Sequence, residues 1–297
     1  MTTPRRRSWI TRLLNTVLGL GLGSGCATTA SHIPSGAPAA TPTKTIVLVH
    51  GMFVTPTCWS RWEPYLESKG YRVLAPAWPQ HDRPAAEARA AHPDAALAAV
   101  DLAAVVDHYR GVVAELDSPP ILIGHSMGGL VVQVLLSEGV GSAGVAIDSA
   151  PPKGVTSLSP AFLKSNARIL RGSLDEPLDM SPERFAYMFV NTQPPERQKA
   201  LWETHAQPES RRVGRDASQD PGRVDFGRSR PPLLLIAGEY DHAVPPVIGR
   251  KTFRRYRKAT AITEYREVAG VDHWLIGGEQ WQEVADLTLE WLAEQGT

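Results

Sequence analysis

The chain has 297 residues, enough for one large α/β domain or two smaller ones around a buried core. Hydrophobic residues make up 42% and charged residues 21%, and the formal net charge is zero. These values speak against a disordered chain, a nucleic-acid partner and electrostatic attachment to a membrane. Only two cysteines occur, Cys26 and Cys58, which excludes a disulfide framework but not a single bridge. Neither metal-ligand spacing nor a Gly-rich phosphate loop is present, so no cofactor and no metal is expected.

Residues 1–26 read as an export signal and stay outside the fold argument. Arg5-Arg6-Arg7 forms a positive n-region, and Trp9 to Leu22 is moderately apolar but too short and Gly-rich to read as a membrane span. Arg6-Arg7-Ser8-Trp9-Ile10 resembles a twin-arginine export motif. Leu22-Gly-Ser-Gly-Cys26 resembles a lipoprotein cleavage box with Cys26 as the lipidated residue, departing from it in having Gly23 where leucine is usual. Both export routes stay open, as does lipidation. Either route makes the protein periplasmic, lipid-anchored or secreted, with a membrane tether through the N-terminus only. Residues 27–43, rich in Ala, Thr, Ser and Pro, cannot build a core and read as a flexible linker.

The folded domain is expected over 44–297. Thr45 to Val49 is a continuous apolar, β-branched run, the pattern of a strand buried on both faces. It runs into His50-Gly51-Met52-Phe53. Thr55-Pro56-Thr57 reads as a helix start, and Trp59, Trp62, Tyr65 and Leu66 recur at helical spacing as core residues. Cys58 reads as core filler. Arg72 to Ala75 is the next strand. Residues 80 to 100 are Ala-rich and weakly patterned, loop with some helix, and carry no functional signal. Leu102, Val105, Val106, Tyr109, Val112, Val113 and Leu116 then form one apolar stripe of a helix.

The informative stretch follows. Ile121-Leu-Ile123 ends in Gly124-His125-Ser126-Met127-Gly128, and an apolar helical pattern begins at once with Leu130, Val131, Val134 and Leu135. This is a G-x-S-x-G motif between a strand and a helix, where the serine occupies a sharp turn and its neighbours must be small. Ser126 is therefore the candidate nucleophile. Gly144 to Ile147 is a further strand ending at Asp148. From 152 to 229 prolines, arginines and short amphipathic pieces replace strand signals, and the scattered arginines from Arg168 to Arg230 read as solvated surface. Leu233 to Ala237 restores the buried-strand pattern and leads to Asp241. Ile262 to Val268 is the sixth strand, followed by His273 and a terminal helix. Six strands alternating with helices predict a doubly wound, mostly parallel α/β sheet, with functional groups on loops at the carboxyl ends of strands.

A strand ending in His-Gly, followed later by Gly-His-Ser-Met-Gly, resembles the α/β-hydrolase superfamily. The details His-Gly-Met, Pro76-Ala-Trp-Pro79 and Ile147-Asp-Ser-Ala-Pro-Pro-Lys-Gly154 are most similar to lipase- or lysophospholipase-like bacterial members of unassigned substrate. The resemblance implies an α/β-hydrolase fold with a helical cap inserted at about 152–229, for which Phe162, Leu163, Phe185, Met188, Phe189 and Trp202 are candidate pocket linings. It implies oxyanion donors at the backbone N–H groups of Met52 and Met127, with Phe53 as a substitute for Met52. His50 reads as a structural histidine holding its turn.

A serine hydroxyl needs an imidazole base, and the base an orienting acid. Among nine histidines His273 lies in the loop before the last helix, the position expected of the base; His125 belongs to the turn around Ser126, His205 to the cap, and His242 faces elsewhere. Asp241 is the favoured acid and Asp148 the alternative, while Glu239 and Asp272 read as surface or hinge residues. The expected function is a serine hydrolase cleaving carboxylic esters by a Ser-His-Asp triad through an acyl-enzyme, on a small, moderately lipophilic ester. The alternatives are thioester or amide hydrolysis or cofactor-free perhydrolysis on the same triad, and, from a different class, a non-catalytic binding protein on a hydrolase scaffold.

Overall fold

The computed structural model describes residues 44–257 and 260–297. The export segment with Cys26 and the linker 27–43 lie outside the described residues. Among those residues, no helix is long and apolar enough to cross a membrane.

The unbroken apolar runs become the strands. They are β1 (Thr45–Val49), β2 (Arg72–Leu74), β3 (Ile121–His125), β4 (Ala143–Ile147), β5 (Leu233–Gly238) and β6 (Thr263–Val268). All pair in parallel in the order β2-β1-β3-β4-β5-β6. The four inner strands are buried along their whole length, whereas the edge strands β2 and β6 carry exposed positions, as expected where only one side of a strand is covered. β3 runs two residues past the apolar triplet to His125, because Gly124 and His125 still pair with Ala146 and Ile147.

The helices in chain order are α1 (Trp62–Ser68), α2 (Ala85–Ala90), α3 (Ala95–Ala99), α4 (Leu102–Ala114), α5 (Met127–Ser137), α6 (Pro160–Leu170), α7 (Pro182–Met188), α8 (Pro195–His205), α9 (Arg211–Asp216), α10 (Pro246–Tyr256) and α11 (Trp281–Glu294). A short 3₁₀ turn at Pro56–Trp59 precedes α1, and the Thr55 side chain meets Thr57 Oγ1 at 2.7 Å instead of capping it. Trp59, Trp62 and Leu66 are fully buried, and α5 is buried on every side.

Between β4 and β5 the chain runs through α6 to α9. Ser159, Ser181 and Ser210 cap α6, α7 and α9 by accepting from the amides of Phe162, Arg184 and Arg212. Two arginines of this stretch are not solvated surface. Arg211 is buried and donates to the carbonyls of Arg168 and Arg171, closing the end of α6. Arg230 is buried too, donating to Pro231 O at 2.7 Å and lying over the Tyr256 ring. Each guanidinium donates to backbone carbonyls, which offsets part of the cost of its burial.

The chain leaves β1 first to one side, to β2, and then crosses to β3 on the other. Strand order therefore reverses between β1 and β3, where open parallel sheets form a ligand crevice beyond their carboxyl ends. β1 ends at the His-Gly-Met-Phe loop and β3 at Ser126.

Candidate active site

Ser126 joins β3 to α5 with φ 55° and ψ −119°, a conformation that L residues rarely adopt. The backbone is held there from both sides. Its N–H donates to Ile147 O at 2.9 Å, and its carbonyl accepts from Gly129 at 3.0 Å and Ala150 at 2.9 Å. The flanking glycines are required by contact: a Cβ on Gly124 would run into the Gly128 carbonyl, and one on Gly128 into the carbonyl oxygens of Val49 and His50. The side chain of Ser126 makes no cap bond to α5, so its hydroxyl is free to face the cavity that Ser126 lines.

His273 is fully buried in the loop between β6 and α11. Its Nδ1 lies 2.6 Å from Asp241 Oδ2 and 3.8 Å from Asp148 Oδ2. Asp241 is itself fixed by the Val244 amide, which donates to Oδ1 at 2.8 Å. Asp148, in a left-handed conformation with φ 44°, accepts from the Gly238 amide at 2.7 Å through Oδ1, and its Oδ2 has no partner among the described residues. Burial, and next the Asp241 carboxylate beside it, push the Asp148 carboxyl well above the usual carboxylate range. Of the two acids, Asp241 makes the hydrogen bond to the imidazole and Asp148 stands behind it. The Nε2 of His273 has no hydrogen-bond partner among the described residues, and His273 and Ser126 line the same cavity.

The Met52 and Met127 residues line that cavity as well, and neither backbone amide donates to a protein acceptor among the described residues. The Phe53 amide differs. It donates to Glu209 Oε2 at 3.1 Å, so it is not a free donor. Phe53 also sits at φ 66°, and its carbonyl accepts from Gln207 at 2.9 Å.

The cavity measures about 210 Å³. Phe162, Ile169, Met188 and Phe189 from the cap line it with Val244 and Ala150 from the sheet loops, and among the described residues no Lys, Arg, Asp or Glu lines it. Three candidate linings lie elsewhere. Phe185 stacks behind Phe189 at 4.9 Å between centroids, Trp202 donates to Met180 O at 2.7 Å, and Leu163 points to solvent. Phe189 meets the His273 ring edge to face at 4.9 Å. The cap helix α6 is pinned to the loop after Asp241, since Ser165 Oγ donates to His242 O at 2.8 Å and Asn166 Nδ2 to Ala243 O at 3.1 Å.

The remaining candidates are accounted for by packing. His50 donates from Nδ1 to Gly51 O at 2.9 Å and accepts the Trp78 amide at Nε2, and burial holds it well below the usual imidazole range. His125 donates from Nε2 to His273 O at 2.8 Å, so it fixes the loop that carries His273. His205 packs on Trp274, with its pKa lowered to about 4 by burial, and His242 bonds Tyr187 O. Cys58 is buried, has no disulfide partner among the described residues, and burial pushes its thiol up. Asp272 is neither surface nor hinge: it is buried, and it accepts from Thr192 Oγ1 at 2.7 Å and from the Trp274 amide at 3.1 Å. His125, Asp148 and His273 place three possible metal-ligand atoms within 4.8 Å of one another. Sequence reading passes over His81 and Glu209, both fully buried and 3.0 Å apart.

Residues 46–287 match a family model described as alpha/beta hydrolase family. No match to the chain is found among curated proteins. Solved structures similar to it include a monoacylglycerol lipase from Paleococcus ferrophilus, 22% identical with a TM-score of 0.62 over 85% of this chain and 96% of that one. A methylesterase from Arabidopsis is 16% identical with a TM-score of 0.60, over 84% of this chain and 99% of its own. A tomato methylketone synthase I variant is 18% identical with a TM-score of 0.63, over 85% and 99%.

Proposed function

The chain belongs to the alpha/beta hydrolase family, and on that premise we propose that it is a serine hydrolase cleaving carboxylic esters with uncharged, lipophilic acyl groups through an acyl-enzyme. One observation carries the reading. His273 Nδ1 is held by Asp241 at 2.6 Å, which leaves Nε2 unpartnered in the cavity that Ser126, Met52 and Met127 also line. With Nδ1–H bonded to a carboxylate, Nε2 is the basic nitrogen. It takes the Ser126 proton as Oγ bonds to the ester carbonyl carbon. The carbonyl oxygen becomes an oxyanion between the Met52 and Met127 amides. The carbon–oxygen bond to the alcohol breaks as Nε2–H protonates the leaving oxygen. A water, deprotonated by the same nitrogen, then releases the acid and restores Ser126. Two of the similar structures bear the names lipase and methylesterase, which agrees with ester cleavage.

The lining supports the acyl preference. A mostly apolar wall with no cation among the described residues offers no countercharge to a carboxylate or phosphate on the substrate, which disfavours charged acyl groups and nucleotide-bearing thioesters. A panel of linear esters of one alcohol tests this. The kcat/KM should rise by up to about fourfold per added methylene and fall once the chain outgrows a cavity of about 210 Å³. A succinyl half-ester should be turned over far more slowly than a butyryl ester of equal length. Equal rates for the two would overturn the assignment of the cavity to the acyl group.

Export is proposed on the pattern of residues 1–26. Fractionation of cells making the full chain should place it outside the cytosol, while a chain starting at residue 27 stays inside. Cytosolic recovery of both would end that proposal.

A further inference from the structure

We propose that Glu209, together with His81, is a positioning residue for the oxyanion hole, through which the cap holds the loop that presents the Met52 amide. The inference rests on the serine-hydrolase reading above. Glu209 lies between α8 and α9, is fully buried, and is tied into the cap by a two-way backbone pairing with Leu178, at 2.7 and 2.8 Å. Its carboxylate meets three donors, two of them outside the cap. Oε2 accepts from the Phe53 amide at 3.1 Å and from His81 Nε2 at 3.0 Å, and Oε1 accepts from the Ser210 amide at 2.6 Å.

His81 Nδ1 lies 3.0 Å from the Pro79 carbonyl, and its Nε2 faces the Glu209 carboxylate. The ring is thereby fixed between the loop after β2 and the cap. A buried polar pair of this kind is costly to assemble and contributes little net stability over an apolar substitute. Its other contact explains its place. Phe53 stands at φ 66°, a conformation that Phe does not favour, one residue after Met52. Both of its backbone polar groups are held by the cap, the N–H by Glu209 and the carbonyl by the Gln207 amide at 2.9 Å. Of the two residues of this loop that line the cavity, Phe53 has its amide engaged, which leaves Met52 as the donor. Fixing the peptide that follows Met52 fixes the direction of the Met52 N–H, and an oxyanion donor works only when held in place before the charge develops.

The test compares Glu209→Ala, Glu209→Gln and Glu209→Asp on an ester the wild-type protein hydrolyses. Glutamine with its oxygen in the place of Oε2 still accepts from the Phe53 amide and gives up only the Ser210 amide, so kcat should stay within about threefold. Alanine leaves the Phe53 amide and His81 Nε2 without their acceptor, and kcat should fall by about 10- to 100-fold, less than the loss of a whole oxyanion donor. KM should stay within about twofold, because the cavity binds the ground state. Affinity for a trifluoromethyl ketone, which forms the tetrahedral adduct on serine, should fall in step with kcat/KM, whereas a non-reactive ketone of the same shape should bind unchanged. Should the alanine variant fail to fold, Glu209→Asp decides: it keeps the charge but shortens the reach, and should lose about tenfold in kcat where glutamine does not. The proposal is overturned if a folded Glu209→Ala or Glu209→Asp keeps the wild-type kcat, or if the loss lies in KM. An inactive wild-type protein, or activity that survives loss of Ser126, would instead overturn the serine-hydrolase reading.

Discussion

Ser126→Ala is expected to abolish covalent labelling by a fluorophosphonate probe and to lower kcat on any ester substrate by about 10⁴- to 10⁶-fold, while the protein stays folded. The probe phosphonylates, with loss of fluoride, only a serine whose oxygen is made nucleophilic by a base, so labelling reports the Ser126–His273 relation directly. The fold should not depend on the hydroxyl. The bonds that hold the turn are all from the main chain, to Ile147, Gly129 and Ala150, and the side chain does not cap α5. Alanine meets the same steric cost at φ 55° as serine does. The melting temperature should therefore move by no more than about 3 °C. Residual activity, at about 10³ to 10⁴ over the uncatalysed rate, would come from the Met52 and Met127 amides and from binding. Labelling that survives the substitution would remove Ser126 from the nucleophile's role. A shifted melting curve would call for Ser126→Cys, which restores a nucleophile of similar size in the same turn.

The parts of the molecule that can be read from sequence are those where one physical requirement constrains several neighbouring residues. A strand covered on both faces must be apolar at every position, so Thr45 to Val49 and Leu233 to Ala237 announce themselves. The turn at Ser126 needs small residues on both sides because the Gly128 and Val49 carbonyls pass too close for a Cβ, and this spacing is unambiguous. In the cap, helices of 6 to 11 residues pack by single side chains, and no period survives over such lengths. The local start signals were nevertheless present: Ser159-Pro160 and Ser181-Pro182 each put a capping hydroxyl before a proline at the first helical position. Which cap side chains face the cavity does not follow from such signals. Phe185 and Phe189 are one helical turn apart, and only Phe189 reaches His273.

Long-range polar partners are the least legible feature. Glu209 and His81 are 128 positions apart, and Glu209 and Phe53 156. Neither Asp272 nor Arg211 differs in local sequence from a surface residue, although each is buried against groups from a distant segment. What could be used is a negative rule: a His in a stretch between two proline breaks, as in Pro79-Gln-His81-Asp-Arg-Pro84, sits where the backbone cannot satisfy its own polar groups by regular structure. Such a stretch near the active-site strands invites a side-chain partner from elsewhere.

The acid is the remaining choice that the sequence leaves between two residues, and the geometry makes unequal predictions for them. Asp241→Asn should lower kcat by about 10²- to 10⁴-fold, whereas Asp148→Asn should cost less than about tenfold. In the first variant the Val244 amide still requires an acceptor at the position of Oδ1, 2.8 Å away. The asparagine must therefore turn its NH₂ toward His273 Nδ1. That selects the tautomer with the proton on Nε2, the nitrogen that has to accept from Ser126. In the second, the Gly238 amide likewise keeps the oxygen on its own side, at 2.7 Å, and the NH₂ takes the place of Oδ2 beside Asp241. Burial and the Asp241 charge already favour the protonated form of Asp148, so a neutral donor there is close to isosteric with it. The two sites should also be non-additive. Once Asp241 is neutral, the chief neighbouring charge opposing ionisation of Asp148 is gone, and its Oδ2 stands 3.8 Å from Nδ1. Asp148 can then take up part of the orienting role, so Asp148→Asn should cost more in the Asp241→Asn background than in the wild type. A larger loss from Asp148→Asn than from Asp241→Asn would reassign the acid; strictly additive losses would mean that Asp148 never orients the imidazole.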